Sequence, residues 1–155
     1  VKDVLIAPDD TDVVVYSDRR ALRFPVSDVP HYKRSANGVA AMNTTDDIDG
    51  ASIIWRNSEY LLVITKSGKV NKIPAASLQT FKRYKAGSSV IKLGKTDSIH
   101  SIIPCNDTDV IEITTKQNKA EFAIKDIQVS SSISSGVQLL SMKSDTIVNT
   151  SLKMM

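Results

Sequence analysis

Residues 59–74 read Glu-Tyr-Leu-Leu-Val-Ile-Thr-Lys-Ser-Gly-Lys-Val-Asn-Lys-Ile-Pro, and this stretch predicts a β-hairpin. Tyr60–Thr65 and Val70–Ile73 are rich in β-branched and other large apolar residues, which favour strands. Gly68 lies between them and can adopt the positive φ that a tight turn requires. Pro74 cannot donate a hydrogen bond to a β-ladder, so it indicates where the second strand ends.

The same pattern occurs three times along the chain. Phe24-Pro25, Ile73-Pro74 and Phe122-Ala123 are spaced by 49 residues, and each pair closes a similar hairpin pattern. A fixed period of roughly 20–50 residues is typical of propellers and other repeat architectures. Short strands with turn signals at even spacing predict an all-β fold. We therefore expect one repeat domain over residues 1–155, with units at approximately 1–54, 55–105 and 106–155.

Each unit is expected to contain four strands, and a polar loop separates the second from the third. The middle unit continues with predicted strands at Val90–Leu93 and Ser98–Pro104. The first unit is expected to contain Val13–Tyr16, Ala21–Phe24, Val39–Met42 and Ala51–Trp55. The third is expected to contain Val110–Thr115, Ala120–Ile124, Val137–Ser141 and Thr146–Ser151. Val4–Ala7 matches the residues around Ile103, so we expect it to be the last strand of a preceding unit.

Composition excludes several classes of protein. The chain is 41% hydrophobic and 24% charged, close to globular averages. It contains no apolar run of the roughly 18 residues that a membrane helix needs. The single cysteine, Cys105, excludes an internal disulfide and a cysteine-based zinc site. The start lacks a signal-peptide pattern, so we expect a cytoplasmic location and no contact with a membrane. We also expect the chain to be a piece of a longer protein.

Charge is distributed unevenly along the chain. Residues 55–105 contain nine basic and two acidic residues, a balance of +7, although the whole chain carries only +3. Residues 1–11, 12–54 and 106–155 are each slightly acidic. A region with charge of one sign attracts partners of the opposite sign, so the partner expected for this basic region is a polyanion.

The chain resembles a known family at Asp12-Val-Val-Val-Tyr-Ser-Asp-Arg-Arg-Ala-Leu-Arg-Phe-Pro-Val-Ser-Asp-Val-Pro30 and at Asn37-Gly-Val39. These residues resemble a blade of the C-terminal repeat domain found in the A subunit of DNA gyrase and in the ParC subunit of topoisomerase IV. Tyr60–Pro74 is a second good copy, and the third copy has Ala123 where the others have proline. The resemblance covers almost the whole chain.

The resemblance implies an all-β, propeller-like β-pinwheel, a disk of four-stranded blades whose basic outer rim bends duplex DNA. Complete disks in the family hold five or six blades, so about three blades imply a partial disk. The implied function is non-catalytic, largely sequence-independent duplex-DNA binding and bending, for DNA wrapping or capture of the transported segment during supercoiling control. The implied parent is the A subunit of an ATP-dependent type IIA DNA topoisomerase. Its implied partners are duplex DNA, the other domains of that subunit and the ATPase subunit, in the bacterial cytoplasm near the nucleoid.

The loops depart from the gyrase pattern. The Gln-Arg-Arg-Gly-Gly-Lys-Gly wrapping motif is absent, and residues 32–38, 80–87 and 130–136 occupy its place. The first two loops keep basic pairs, whereas the third is neutral. The choice between gyrase, topoisomerase IV and a divergent homologue therefore stays open, as does the number of blades in the parent.

Cations at phosphate spacing are what sequence-independent DNA binding needs. The candidates in the middle unit are Lys66, Lys69 and Lys72 on the hairpin, Lys82, Arg83 and Lys85 on the loop, and Lys92 beyond. The candidates in the first unit are Arg19, Arg20, Arg23, Lys33 and Arg34. The third unit is expected to contribute least, because Glu112 and Glu121 compete for its Lys116 and Lys119.

Catalytic patterns find little support in the sequence. His31 and His100 lie far apart and belong to no metal-spaced cluster. The acidic residues of 46–49 lack the rest of a calcium loop, so we expect a turn there. We expect no cofactor and no metal. The alternative function is a propeller fragment that binds a protein through its loops, for which Trp55, Phe81 and Tyr84 are the candidate contacts.

Overall fold

The computed structural model of the protein describes residues 4–31, 38–45, 47–130, 133–142 and 145–154. Ten strands form three antiparallel sheets. The strands are β1 (Asp12–Tyr16), β2 (Ala21–Pro25), β3 (Gly50–Ile54), β4 (Tyr60–Thr65), β5 (Lys69–Pro74), β6 (Ile99–Cys105), β7 (Asp109–Thr115), β8 (Lys119–Ala123), β9 (Val137–Gln138) and β10 (Ile147–Met154). A short 3₁₀ turn follows β2, β5 and β8, at Val26–Asp28, Ala75–Ser77 and Ile124–Asp126. The prediction of an all-β repeat fold is confirmed.

The strand orders are β2-β1-β3, β6-β4-β5-β9 and β10-β7-β8. The middle sheet is covered on both faces, which explains why β4 is apolar without interruption. Leu61 and Val63 pack with Val14 of the first sheet. Leu62 and Ile64 pack with the third sheet, in the cluster that contains Ile111. Because alternate residues of a strand point to opposite faces, one apolar run builds both inter-sheet cores.

The strands β3, β6 and β10 lie side by side at the inner edges of the three sheets. The Ser52 hydroxyl donates to the backbone oxygen of Ile102 at 2.7 Å. The hydroxyls of Ser101 and Thr150 are 2.9 Å apart. Residues 52, 101 and 150 are equivalent in the repeat, so the same hydroxyl position joins each inner strand to the next.

The outer edge of each of the first two sheets is completed by residues from the following unit. β9 belongs to the third unit in sequence, yet it pairs with β5 of the middle sheet, with Val70 opposite Val137. In the same way the backbone of Ser88 exchanges two hydrogen bonds with Ala21, at 2.9 and 2.7 Å. The middle sheet thereby reaches four strands, whereas the first and third sheets have three each among the described residues.

This exchange corrects the predicted third strands. Val90–Leu93 is not a strand, Val39–Met42 retains only an isolated bridge at Met42, and the prediction at Val137–Ser141 shortens to Val137–Gln138. Val39–Met42 contacts Lys85 and Val90–Leu93 contacts Ser134, each in the following unit, whereas Val137–Gln138 pairs with β5 of the preceding unit. The physical reason is that these segments have no continuous strand partner: Val90 is buried at 2% exposure, whereas Val39 and Val137 remain exposed.

The other predicted strands agree with the structure to within a residue or so, and β10 extends three residues further than expected. Val4–Ala7 is not a strand, and that prediction is wrong. Its counterpart around Ile103 pairs with β4, whereas no strand of the described residues pairs with Val4–Ala7. The unit boundaries near residues 54 and 105 stay a prediction.

Candidate nucleic-acid interface

The basic loop of the middle unit, residues 80–88, lies on the first sheet. The backbone N–H of Phe81 donates to the Arg23 oxygen, and that of Tyr84 donates to the Ala41 oxygen, both at 2.8 Å. Lys82 and Lys85 are therefore carried past the outer edge of β2. Both lysines belong to the middle unit in sequence, but the exchange between units places them beside the first sheet.

The corresponding loop of the third unit covers the middle sheet in the same manner. The backbone N–H of Ser130 donates to the Lys72 oxygen at 2.7 Å, and that of Lys92 donates to the Ser134 oxygen at 2.8 Å. This loop carries serines instead of cations between residues 130 and 135. The exposed basic surface thus lies mainly beside the first sheet, and the middle sheet is covered by a neutral segment.

Glycine makes the close crossing of these loops possible. Gly87 has φ +84°, and a Cβ atom there would lie 2.6 Å from the Ala21 oxygen. Gly136 repeats the arrangement against the Val70 oxygen, with φ +75°. Tyr84 adopts φ +67° without being a glycine, so its backbone is held in a sparsely populated conformation beside the first sheet.

Three of the candidate cations are exposed and free of carboxylates. The side chains of Lys82, Lys85 and Lys92 are exposed, and within the described ranges none of them forms an ion pair. Lys69 is half-buried. Lys66 is exposed and lies 3.8 Å from the exposed carboxylate of Asp18, a separation typical of a weak surface ion pair.

Arg19 and Arg20 are exposed, and backbone oxygens of the middle unit orient them. Arg20 donates from Nε and Nη2 to the Gly87 oxygen, at 3.2 and 2.7 Å. Arg19 donates from Nη1 to the oxygens of Gly94 and Asp97, at 3.4 and 3.3 Å. Carbonyl oxygens fix a guanidinium without cancelling its charge, so both arginines remain available to an anion.

Arg83 anchors the loop that carries it. Its Nη1 donates to the Ala40 oxygen at 2.5 Å and its Nε to the Asp28 oxygen at 3.3 Å. Its backbone N–H donates to the Asp28 carboxylate at 3.4 Å. The Arg83 side chain is half-buried, so its main role is to hold the loop that carries Lys82 and Lys85 in place.

Lys72 does not line an exposed rim, and that expectation is wrong. Its side chain is 4% exposed, and Nζ donates to the Asp107 carboxylate at 2.8 Å. It also donates to the backbone oxygens of Ile124 and Ile127, at 2.9 and 3.1 Å, and lies 4.3 Å from the centre of the Tyr60 ring. These acceptors bracket the 3₁₀ turn of the third unit, so Lys72 joins two units.

Arg23 makes the equivalent contact one repeat earlier, and the expectation that it lies on the rim is corrected in the same way. Its Nη1 donates to the backbone oxygens of Ala75 and Leu78, at 2.8 and 3.3 Å. Its Nε pairs with Asp12 at 2.7 Å, and the side chain is 18% exposed. We call Arg23 and Lys72, with the carbonyl oxygens that they contact, the inter-unit clamps.

The clamp position of the third unit is occupied by Glu121. Glu121 is exposed and pairs with Lys153 at 2.7 Å, and Lys153 also pairs with Glu112. Lys119 lies 3.1 Å from Glu112, as expected, whereas Lys116 forms no ion pair with either glutamate among the described residues. Hydrogen bonds from Lys153 and Lys119 lower the pKa of Glu112 below its usual value. Carboxylates of the third sheet therefore engage both Lys119 and Lys153.

The candidate aromatic contacts of the alternative function lie on different edges. Phe81 and Tyr84 are exposed beside β2, whereas Trp55 follows β3 on the other side of β1. They do not form one apolar patch. Lys33 and Arg34 lie outside the described residues, as does Asp46 of the predicted turn.

The remaining titratable candidates are His100, which is half-buried, and Cys105. Burial, with a smaller contribution from Lys66, lowers the pKa of His100, whose Nδ1 lies 3.2 Å from the Ser101 hydroxyl. Cys105 is buried, and burial raises the pKa of its thiol to about 12. Among the described residues no group of three metal-ligating side chains occurs. None of the helices in the described ranges is long and apolar enough to cross a membrane.

The shared sheets with exchanged outer strands are those of a propeller-like β-pinwheel. A family model described as "DNA gyrase C-terminal domain, beta-propeller" matches residues 17–50 and 59–106, just over half of the chain. The chain belongs to this family.

Curated relatives include subunits A of DNA gyrase from two bacteria. The protein from Kosmotoga olearia is 25% identical over 155 residues, which cover 96% of this chain and 19% of the relative. The protein from Thermotoga maritima is 28% identical over 134 residues, which cover 82% of this chain and 16% of the relative. The chain thus spans less than a fifth of the length of these relatives.

Solved structures with the same fold include two C-terminal domains. The C-terminal domain of DNA topoisomerase IV matches with a TM-score of 0.89 at 23% identity, over 98% of this chain and 49% of that one. The C-terminal domain of E. coli ParC matches with a TM-score of 0.74 at 16% identity, over 97% of this chain and 63% of that one. At these identities the likeness shows the fold alone.

The structure separates the candidate cations into three groups. Exposed cations without a carboxylate partner among the described residues are Arg19, Arg20, Lys82, Lys85 and Lys92. Lys66 is weakly paired and Lys69 is half-buried, whereas Arg23, Lys72 and Arg83 hold the fold. The role of Arg23 and Lys72 as inter-unit clamps was not predicted from the sequence. The signal available for them was the 49-residue spacing of Arg23 and Lys72, each two residues before a strand-ending proline.

Proposed function

We propose that this chain is a non-catalytic module that binds and bends duplex DNA with little sequence preference. The observation that carries the proposal is the set of exposed cations without carboxylate partners beside the first sheet. These are Arg19, Arg20, Lys82, Lys85 and Lys92. Membership of the gyrase C-terminal domain family supports the choice of DNA over other polyanions.

The mechanism is electrostatic. Each cation that contacts a phosphate releases condensed counterions, and this release supplies binding free energy independent of sequence. The cations come from the hairpin turn of the first unit, the 80–88 loop and the segment after it, so they occupy several elements along one side. A duplex that follows them has to curve, and sequences that bend easily are preferred.

Anisotropy titrations at low salt with two labelled duplexes of unrelated sequence test the proposal. We expect similar affinity for both, since the candidate contacts are to phosphates. The double variant Lys82→Ala/Lys85→Ala is expected to weaken both equally. The matched control is Lys116→Ala/Lys125→Ala, which removes two exposed lysines of the third unit. An equal loss of DNA affinity in both variants would mean that only the net charge of the chain matters. That result would contradict the proposed location of the interface.

Bending is measured separately with fluorophores on the two duplex ends. We expect energy transfer to rise when the wild-type chain binds and to rise less with Lys82→Ala/Lys85→Ala at equal saturation. Binding without a change in energy transfer would leave a DNA-binding module that does not bend its ligand.

The protein-binding alternative receives less support, because Trp55 lies across the first sheet from Phe81 and Tyr84. We further propose that the domain itself needs no cofactor. We propose that its parent is the A subunit of a type IIA topoisomerase, which acts with an ATPase subunit on the bacterial nucleoid. DNA binding that Trp55→Ala leaves unchanged, together with loss on Lys82→Ala/Lys85→Ala, separates the two functions.

A further inference from the structure

A concave site lies between the first two sheets, at the hairpin turn of the first unit. It is a depression of about 710 Å³ that is open to solvent. Its lining consists of Arg19, Arg20, Ser89, Ile91, Lys92, Leu93 and Ile133. Three of these residues are cationic, one carries a hydroxyl and none is acidic. Three cationic residues and no acidic one in the same lining make the site electropositive, which favours an anion.

The two arginines are oriented with donors to spare. A guanidinium has five N–H donors. Arg20 uses Nε and Nη2 on the Gly87 oxygen, and Arg19 uses Nη1 on the oxygens of Gly94 and Asp97. Each guanidinium therefore keeps N–H groups for a ligand, while the neutral carbonyl oxygens limit its motion. Preorganised charged donors of this kind suit the oxygens of a phosphate group.

The carboxylates nearby are engaged elsewhere. The Asp97 carboxylate accepts from the Ser67 hydroxyl at 2.6 Å and from the backbone N–H groups of Ser67 and Ser98, at 3.1 and 2.9 Å. The Asp18 carboxylate is the partner of Lys66 at the protein surface. Neither side chain lines the pocket, so the charge of the three cations is not cancelled inside it.

We propose that this pocket is a discrete binding site for a phosphate-class oxyanion, with Arg19, Arg20 and Lys92 as its cationic contacts and the Ser89 hydroxyl as a further donor. Ile91 and Leu93 add apolar lining beside the charged contacts. The anion is a phosphate of the bound duplex or a free phosphate compound, which share this chemistry. The inference deepens the proposed function and rests on it for the DNA case.

The test uses pyrophosphate as the probe, with two-dimensional amide NMR spectra of the whole chain. We expect saturable shifts of the amides of Arg19, Arg20, Ser89 and Lys92. Lys92→Gln is the variant of choice, because the Lys92 side chain is exposed and its backbone contact to Ser134 is retained. We expect it to weaken pyrophosphate roughly three- to fivefold, the size typical of an exposed charge contact. Lys125→Gln, an exposed lysine of the third unit, is the control and should change nothing.

A second titration with a short duplex separates the two sources of the anion. Displacement of pyrophosphate by the duplex identifies a DNA phosphate as the occupant, and simultaneous binding identifies a site for a free anion. Both results support the pocket. If the duplex binds wild type and Lys92→Gln equally and pyrophosphate shifts no pocket amide, the pocket proposal is overturned and the proposed function stands. If pyrophosphate shifts the pocket amides and no duplex binds, the pocket stands and the proposed function fails.

Discussion

Replacing Lys72 by methionine removes one inter-unit clamp while keeping most of its buried stem. The ammonium group has three acceptors: the Asp107 carboxylate at 2.8 Å and the backbone oxygens of Ile124 and Ile127 at 2.9 and 3.1 Å. All three belong to the unit that follows. The substitution therefore tests whether a buried cation joins the middle sheet to the third.

The expected loss in the free energy of unfolding depends on how deeply the acceptors that lose Lys72 are buried. A hydrogen bond to a charged group contributes about 1.5–3 kcal/mol, and removing one partner of a buried pair costs about 3–5 kcal/mol. Asp107 is 49% exposed and regains water, so its share falls toward the lower end. The two carbonyl oxygens lose a charged donor at a site where Lys72 is 4% exposed. We expect Lys72→Met to lower the free energy of unfolding by about 3 kcal/mol.

Equilibrium unfolding in urea measures this loss. With a slope of about 2 kcal/mol per molar urea, the midpoint should fall by about 1.5 M. Lys69→Met on the same strand is the control, because the half-buried Lys69 side chain has no hydrogen-bond or ion-pair partner among the described residues. It should shift stability by less than about 0.5 kcal/mol. Equal midpoints for the two variants would refute the clamp.

Three further outcomes are expected. Gly87→Ala should destabilise the fold more than Gly38→Ala: both have positive φ, but only at Gly87 would the new Cβ meet a backbone oxygen, at 2.6 Å, and urea unfolding measures the difference. Cys105, whose pKa burial raises to about 12, should resist alkylation at pH 8 in the folded chain, since only about one thiol in ten thousand is ionised, and should react once unfolded. Burial alone would raise the pKa of Asp97, but hydrogen bonds, led by that from Ser67, hold it below the usual 3.8. The Asp97 carboxylate therefore stabilises the fold at pH values above the unfolded-state pKa. This stabilisation is lost as the pH falls through the folded-state pKa. Ser67→Ala should raise this pKa in a carboxyl NMR titration, and an unchanged value would contradict the assignment.

The hairpins were predictable because their signals are local. Tyr60–Thr65 combines a β-branched run with Gly68 in the turn and Pro74 at the strand end, and the structure places β4 and β5 within one residue of the prediction. The 49-residue spacing then carried the same assignment to the other units. Strand pairing inside a hairpin depends on neighbours in sequence, which a sequence pattern records directly.

The exchange between units was not predictable in the same way. Val90 and Ile91 are apolar and β-branched, as a strand would be, but their partners are core side chains rather than a ladder. The backbone acceptors of Lys72 lie 52 and 55 residues away along the chain. The sequence shows where the lysines and arginines are, yet only the tertiary contacts separate Lys72, which is buried, from Lys82, which is exposed.

The salt dependence of duplex binding tests the central claim most directly. The logarithm of the association constant should fall linearly with the logarithm of salt concentration, with a slope of about −0.9 for each phosphate contacted. Removing Lys82 and Lys85 together should make the slope shallower by about 1.8, and the Lys116→Ala/Lys125→Ala control should keep the wild-type slope. Parallel lines for all three proteins, or no binding at low salt, would contradict a DNA interface beside the first sheet.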